Sequence, residues 1–230
     1  MNSELWAAWQ DFEKDESVHV AILTGAGDRA FCAGADLADY IPEFFEDSAR
    51  RVRANANTGL GGITRGLHRI RKPIIAAVNG FALAGGFELA LASDIRIASE
   101  RAVFGSFEIK RGFHHADGGI VRLMASVGLS RTMDIVLTGR EISAGEALQL
   151  GLVSRVVPPE DLMSEATRLA SALLKNSIPA MLSAKETILD IIGRRLDDAL
   201  RIEALNGYSS GEIEEIRARL SAFLRDGDPS

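Results

Sequence analysis

The chain has 230 residues, 47% of them hydrophobic and 25% charged, and a formal net charge of −6. It is long and apolar enough to bury a sizeable core, and an acidic balance with no basic stripe argues against a nucleic acid partner. The single cysteine, Cys32, excludes an intrachain disulfide and fits a reducing cytoplasm, and no apolar run reaches the roughly 18 residues of a membrane span, so no membrane partner is expected.

Taken in chain order, Asn2 or Ser3 is placed to cap a helix in which Leu5, Trp6, Trp9 and Phe12 recur at helical spacing, ending near Asp15. This opening is amphipathic and acidic, unlike a secretory leader. Val18 to Thr24 reads as a buried strand, and Gly25, Gly27 and Asp28 as a loop. Phe31 to Asp36 is too small and glycine-rich for a regular element and is expected to expose its backbone. Asp36 to Arg53 mixes charge with Phe44 and Phe45, and Ile63 to Ile70 predicts a helix stopped by Lys72 and Pro73.

Ile74 to Val78 is a second buried strand, turned by Asn79 and Gly80. Gly85 and Gly86 open a short apolar helix through Leu91, and Ile95 to Ala98 returns as a strand. Strand and helix alternate here, as in α/β layers. Beyond Leu123 the pattern is mainly helical, near Thr132 to Leu137, Ser143 to Leu150, Glu160 to Lys175, Pro179 to Ile192 and Glu212 to Leu224. One strand, Val153 to Val157, interrupts it, and no internal repeat is visible. The expected organisation is an α/β core over 1–157 and a helical region over 158–230.

Chemistry is concentrated in a few places. Gly85 and Gly86 at a helix start leave unpaired N–H groups, and the helix dipole there favours negative charge, so a ligand oxygen could be held. Glu88 follows in the first turn among Phe87, Leu89, Ala90 and Leu91. The same residues admit a second reading, with glycines for close helix packing and Glu88 serving the dipole. Glu108, after Val103 to Phe107, is another acid in apolar company, and a structural salt bridge is its competing explanation. Only the two acids combined with the small-residue loop Ala33 to Asp36 become informative.

Those segments carry a resemblance. The run Ala30 to Leu37 (AFCAGADL) is similar to the first oxyanion segment of the enoyl-CoA hydratase/isomerase (crotonase) family, and Lys72 to Ala98 (KPIIAAVNGFALAGGFELALASDIRIA) resembles its second. Phe104 to Glu108 (FGSFE) is similar to the segment with the family's second glutamate, Gly118 to Leu123 (GGIVRL) to the helix start beyond it, and Thr138 to Val157 to a later helix and strand. The likeness covers nearly the whole chain.

What it implies is an α/β crotonase-like (ClpP/crotonase) spiral of β-β-α units with a helical C-terminal region. It implies an enoyl-CoA hydratase-type lyase, with Glu88 and Glu108 catalytic and the N–H groups of Ala35 and Gly85 forming the oxyanion hole. Ala33, Gly34, Ala35, Asp36 and Leu37, with Gly85, would contact the coenzyme A thioester. No cofactor is implied, coenzyme A being part of the substrate. A homotrimer or hexamer is implied, and apolar positions such as Leu182, Ile188, Ile216 and Phe223 are compatible with subunit contacts or with packing inside the chain.

Departures from the family pattern are expected to matter. The family's opening strand and hairpin have no counterpart before Met1. Phe107 stands where proline is frequent, and Gly112 to Asp117 (GFHHAD) replaces a stretch of proline and small residues, which makes Phe107, His114, His115 and Asp117 candidates for the acyl pocket or for tuning a pKa, with surface or packing histidines as the alternative. His19 and His68 have no companions at metal spacing, so no metal is expected. The rival functions are an isomerase or carnitinyl-CoA-type racemase/dehydratase on the same fold, and a catalytically silent acyl-CoA-binding paralogue. Retention of both glutamates favours the hydratase. A serine peptidase lacks a serine in register after the small-residue motifs.

Overall fold

The computed structural model describes residues 1–38, 41 and 56–226, so the stretch with Phe44 and Phe45 lies outside the described residues. They fall into two compact units, Met1–Ala170 and Ser171–Ser230.

The first unit is built on two four-stranded sheets. In one, β1 (Ala21–Thr24), β3 (Ile74–Val78), β5 (Ile95–Ser99) and β8 (Arg155–Val157) run parallel in that order. In the other, β2 (Ala30–Cys32), β4 (Phe81–Leu83) and β6 (Val103–Gly105) are parallel and β7 (Glu141–Ser143) is antiparallel to β6. From β1 to β6 successive strands alternate between the sheets. With the helix α2 (Gly85–Ala92) after β4, this is the expected spiral of β-β-α units.

Residue choice explains the layering. Every residue of β3, Ile-Ile-Ala-Ala-Val, is buried, as a strand with a neighbour on each edge and cover on each face requires. Asn79, in the turn between β3 and β4, clamps the β1–β2 loop: its Nδ2 donates to Gly25 O at 3.2 Å and Gly27 O at 2.9 Å, and its Oδ1 accepts from Gly25 N at 3.1 Å. Arg96 of β5 is half-buried, its guanidinium closing backbone carbonyls by donating to Ser93 O at 2.6 Å and Leu152 O at 2.7 Å. Phe87 and Phe104 are fully buried at the centre, their rings 5.5 Å apart.

Helix α1 (Asn2–Lys14) buries Trp9 against this core. Lys72, just before Pro73, closes its C-terminal carbonyls, donating to Phe12 O at 2.5 Å and Asp15 O at 2.6 Å. Asn2 is not its cap. The N-cap is Met1, and Asn2 Oδ1 accepts instead from Gly61 N at 2.6 Å.

The helix predicted over Ile63 to Ile70 does not form; residues 61–69 are successive turns. Gly59, Gly61 and Gly62 adopt positive φ of 69°, 63° and 78°, and the side chains of Asn2 and Asp117 take the N–H groups of Gly61 and Leu60. Those bonds outcompete a helical ladder that the apolar spacing alone suggested. The strand expected from Val18 is shorter, β1 only, and half-buried because it lies at a sheet edge. Sequence reading also passed over β2, β4, β6 and β7, and β2 takes in Phe31 and Cys32, expected to lie in no regular element.

Downstream come α3 (Gly119–Val127), α4 (Leu129–Thr138), α5 (Ala144–Gln149) and α6 (Leu162–Leu174). The second unit contains α7 (Ile178–Ile191), α8 (Leu196–Tyr208) and α9 (Ile213–Asp226). Helix α8 was not predicted; Arg195 at its N-cap makes no side-chain cap bond and its apolar stripe is weak. Asn206 of α8 donates to Thr187 Oγ1 of α7 at 3.0 Å, and Leu196, Leu205, Phe223 and Leu224 are exposed. No helix among the described residues is long and apolar enough to cross a membrane.

Candidate active site

Two backbone segments meet at the start of α2. Ala84 holds φ 52°, a left-handed conformation costly for a residue with a Cβ, and its carbonyl accepts from the N–H groups of Phe87 at 2.9 Å and Glu88 at 3.1 Å. No side chain caps this helix end. Gly34, at φ 98°, lets the loop after β2 approach: a Cβ there would lie 3.1 Å from Leu83 O and 3.4 Å from Gly85 N. A Cβ on Gly85 would come 3.8 Å from Ala35 N, and one on Gly86 would stand 1.9 Å from Cys32 O. Glycines let the two segments abut, and Ala35 and Gly85 line one cavity.

The cavity measures about 350 Å³, enough for a small acyl group. Of the residues singled out in the sequence, Ala33, Ala35, Leu37 and Gly85 line one side, and Glu88, Phe107, Glu108, His114 and Asp117 also face it. Gly34 sits behind the wall, Asp36 is exposed with its Oδ1 accepting from Ala38 N at 2.8 Å, and His115 is buried behind the carboxylates. Leu60, Arg65, Arg111 and Phe113 line it too and were not anticipated. Arg65 belongs to the stretch misread as a helix and Leu60 to the turn just before it, so their inward aim had no periodic signal.

Glu88 is 2% exposed and anchored. Its Oε1 accepts from the N–H groups of Asp117 at 2.8 Å and Gly119 at 2.9 Å, the latter opening α3, so the carboxylate sits at that helix's positive end. Glu108, on the 3₁₀ turn Phe107–Arg111, is 4% exposed, and neither of its carboxylate oxygens has a hydrogen bond among the described residues.

Between them lies His115. Its Nδ1 is 2.8 Å from Glu108 Oε1 and 3.3 Å from Glu88 Oε1, while Nε2 lies 2.7 Å from Ser106 Oγ. The carboxylates are close to Nδ1 but off the line of its ring N–H. Burial opposes the imidazolium, but the neighbouring Glu108 and Glu88 carboxylates outweigh it and raise the pKa to about 9. A raised basic group stabilises the fold fully below its unfolded pKa, near 6.5, and loses that contribution as pH rises through about 9. Wild-type unfolding free energy should therefore decline between these pH values, by on the order of 3 kcal/mol at most, and the decline should be absent in His115→Asn. Urea unfolding at stepped pH tests this; parallel curves for the two proteins would refute it.

Asp117 serves the neighbouring turns. Its Oδ1 accepts from Leu60 N at 2.8 Å and pairs with Arg65 Nη2 at 3.2 Å, while burial holds its carboxyl above the usual range. Arg122 locks the same junction, donating to Thr64 O at 2.7 Å and Asp117 O at 3.2 Å, and burial lowers its guanidinium pKa. Ligand-type atoms of Glu88, Glu108 and His115 lie within 4.8 Å of one another, the one such group among the described residues, whereas His19 and His68 join none.

The cavity thus gathers Ala35 and Gly85, from the two abutting segments, with the buried carboxylates of Glu88 and Glu108. Comparison with known proteins agrees in kind. The sequence profile of the family described as enoyl-CoA hydratase/isomerase matches residues 1–230. A Dictyostelium discoideum protein named "Probable enoyl-CoA hydratase, mitochondrial" is 39% identical over 228 residues, 99% of this chain and 79% of the relative. The short-chain-enoyl-CoA hydratase of Clostridium acetobutylicum is 36% identical over 93% of this chain and 80% of its own. Among solved structures, an enoyl-CoA hydratase subunit from Geobacillus kaustophilus superposes with a TM-score of 0.86 at 38% identity, covering 99% of this chain and 86% of that one.

Proposed function

Because the chain belongs to the enoyl-CoA hydratase/isomerase family, we propose that it is a hydratase adding water syn across the double bond of a trans-2-enoyl-CoA. The observation that carries this reading is that the buried Glu88 and Glu108 line one cavity together with Ala35 and Gly85, whose backbone amides are assigned to the oxyanion hole.

Attack of water at the β-carbon pushes electrons onto the thioester oxygen, forming an enolate. Preorganised donors at that oxygen, here the N–H groups of Ala35 and Gly85, are typically worth about 3 kcal/mol each in the transition state. Glu88, held by two backbone N–H groups, removes the proton from the attacking water. Glu108 delivers a proton to the α-carbon, collapsing the enolate to the 3-hydroxyacyl thioester. No cofactor is needed, since the thioester itself is the electron sink. Ala33 and Leu37 are assigned to the coenzyme A moiety, with Gly34 and Asp36 shaping their loop. Phe107, His114 and Asp117 are assigned to the acyl end.

The enzyme is assigned to fatty acid metabolism in the cytoplasm, as a homotrimer or a hexamer. The exposed Leu196, Leu205, Phe223 and Leu224 of the second unit support subunit contacts. Purified protein mixed with crotonyl-CoA or longer trans-2-enoyl-CoA should bleach the conjugated thioester absorbance. Binding of these thioesters with no bleaching would remove the hydratase assignment and favour an isomerase, a racemase or a silent binder.

A further inference from the structure

Hydration by two carboxylates leaves a proton out of place. On the reading above, each turnover ends with Glu88 carrying the proton taken from water and Glu108 stripped of the one it gave. Both are almost fully enclosed, at 2% and 4% exposure, so neither is reset readily by bulk water. His115 lies against both, with Nδ1 at 3.3 Å from Glu88 Oε1 and 2.8 Å from Glu108 Oε1.

We propose that His115 is a positioning residue that returns the proton from Glu88 to Glu108 through Nδ1 after each turnover. The inference rests on the hydratase reading and adds a step to it. The cycle starts with Nδ1 carrying the proton. Nδ1 passes that proton to Glu108 Oε1, leaving a neutral imidazole. Water then adds to the β-carbon, losing a proton to Glu88, and Glu108 protonates the α-carbon. Glu88 finally protonates Nδ1, which restores the starting state. One water is consumed and both of its hydrogens are accounted for.

Two features support the circuit. Nδ1 and both Glu108 oxygens are buried polar atoms without a hydrogen bond among the described residues, and such atoms ordinarily find partners unless a function keeps them open. The other ring nitrogen is taken up by Ser106 Oγ, which fixes the ring so that the mobile proton belongs to Nδ1. The charged groups around the relay are Glu88 from α2 and Glu108 from the 3₁₀ turn, with Asp117, Arg65 and Arg122 acting on it at one remove through Glu88 and the turns beside it.

The test is steady-state hydration of crotonyl-CoA by wild type, His115→Asn and Ser106→Ala across pH 6–10, with and without added imidazole. His115→Asn should lower kcat roughly 10- to 100-fold with KM within about twofold, lose the alkaline limb expected near pH 9, and regain part of kcat with imidazole. Ser106→Ala, which keeps Nδ1, should lower kcat less and shift that limb. Equal kcat in wild type and His115→Asn, or losses in kcat and KM together with an unmoved pH profile, would overturn the relay and leave the hydratase standing. Wild type losing activity to a chelator and regaining it with a divalent cation would also overturn it, the cluster then being a metal site. A wild type that hydrates nothing overturns both readings.

Discussion

Glu88→Gln and Glu108→Gln are each expected to lower kcat for enoyl-thioester hydration by about 10²–10⁴-fold, with KM changed only a few-fold. Neither change should disturb the fold. At Glu88 the amide oxygen can keep the bonds from Asp117 N and Gly119 N, leaving an NH₂ group turned to the cavity that cannot take a proton from water. At Glu108 no hydrogen bond is lost, because neither oxygen makes one among the described residues. The double variant should be little worse than the poorer single one, since the carboxylates serve one concerted addition. Initial rates at saturating thioester, with circular dichroism as a folding control, decide the matter. More than a tenth of wild-type kcat in either variant would remove that carboxylate from the mechanism.

Gly86→Ala is the second large effect. The added carbon would stand 1.9 Å from the backbone oxygen of Cys32, and backbone cannot swing aside as a flexible side chain can. Either the end of β2 or the start of α2 must move, and either movement misplaces Ala35 N relative to Gly85 N. Loss of one oxyanion donor alone amounts to about 10²–10³-fold in kcat, and the overpacking adds on the order of 1–3 kcal/mol of destabilisation. Gly145→Ala is the matched control: it lies in α5 with open space around it, and Ala there should stabilise by roughly 0.5–1 kcal/mol without touching kcat. Equal behaviour of the two variants in thermal melts and assays would show that the abutting segments are not what shapes the site.

The parts legible in the sequence were those whose signal is local or whose motif is long. Ile74 to Val78 announces a buried strand by its composition, and the glycine pair after it announces a helix start. The resemblance then supplied the order in which these pieces wind. The turns from Gly59 to Arg69 were misread because their conformation is set by Asn2 and Asp117, residues 59 and 57 positions away from the amides they hold. Leu60 and Arg65 are tied to Asp117 by the same long-range contacts, so they carried no sequence signal. His115 was noticed only as a departure from the family pattern. That its ring stands between two carboxylates twenty residues apart in sequence, at 88 and 108, depends on the spiral bringing α2 and the 3₁₀ turn together.

The turn that presents Gly85 follows directly on β3 and β4, and β3 is the most completely buried strand of the first unit. A loop at the rim could loosen while the body of the protein stayed intact, and activity would then vanish some degrees before the melt. Here Gly85 N is fixed beside the most deeply buried strand, the part expected to open last. Heat inactivation and cooperative melting should therefore share one midpoint, which makes residual activity after heating a usable gauge of how much of the population has unfolded.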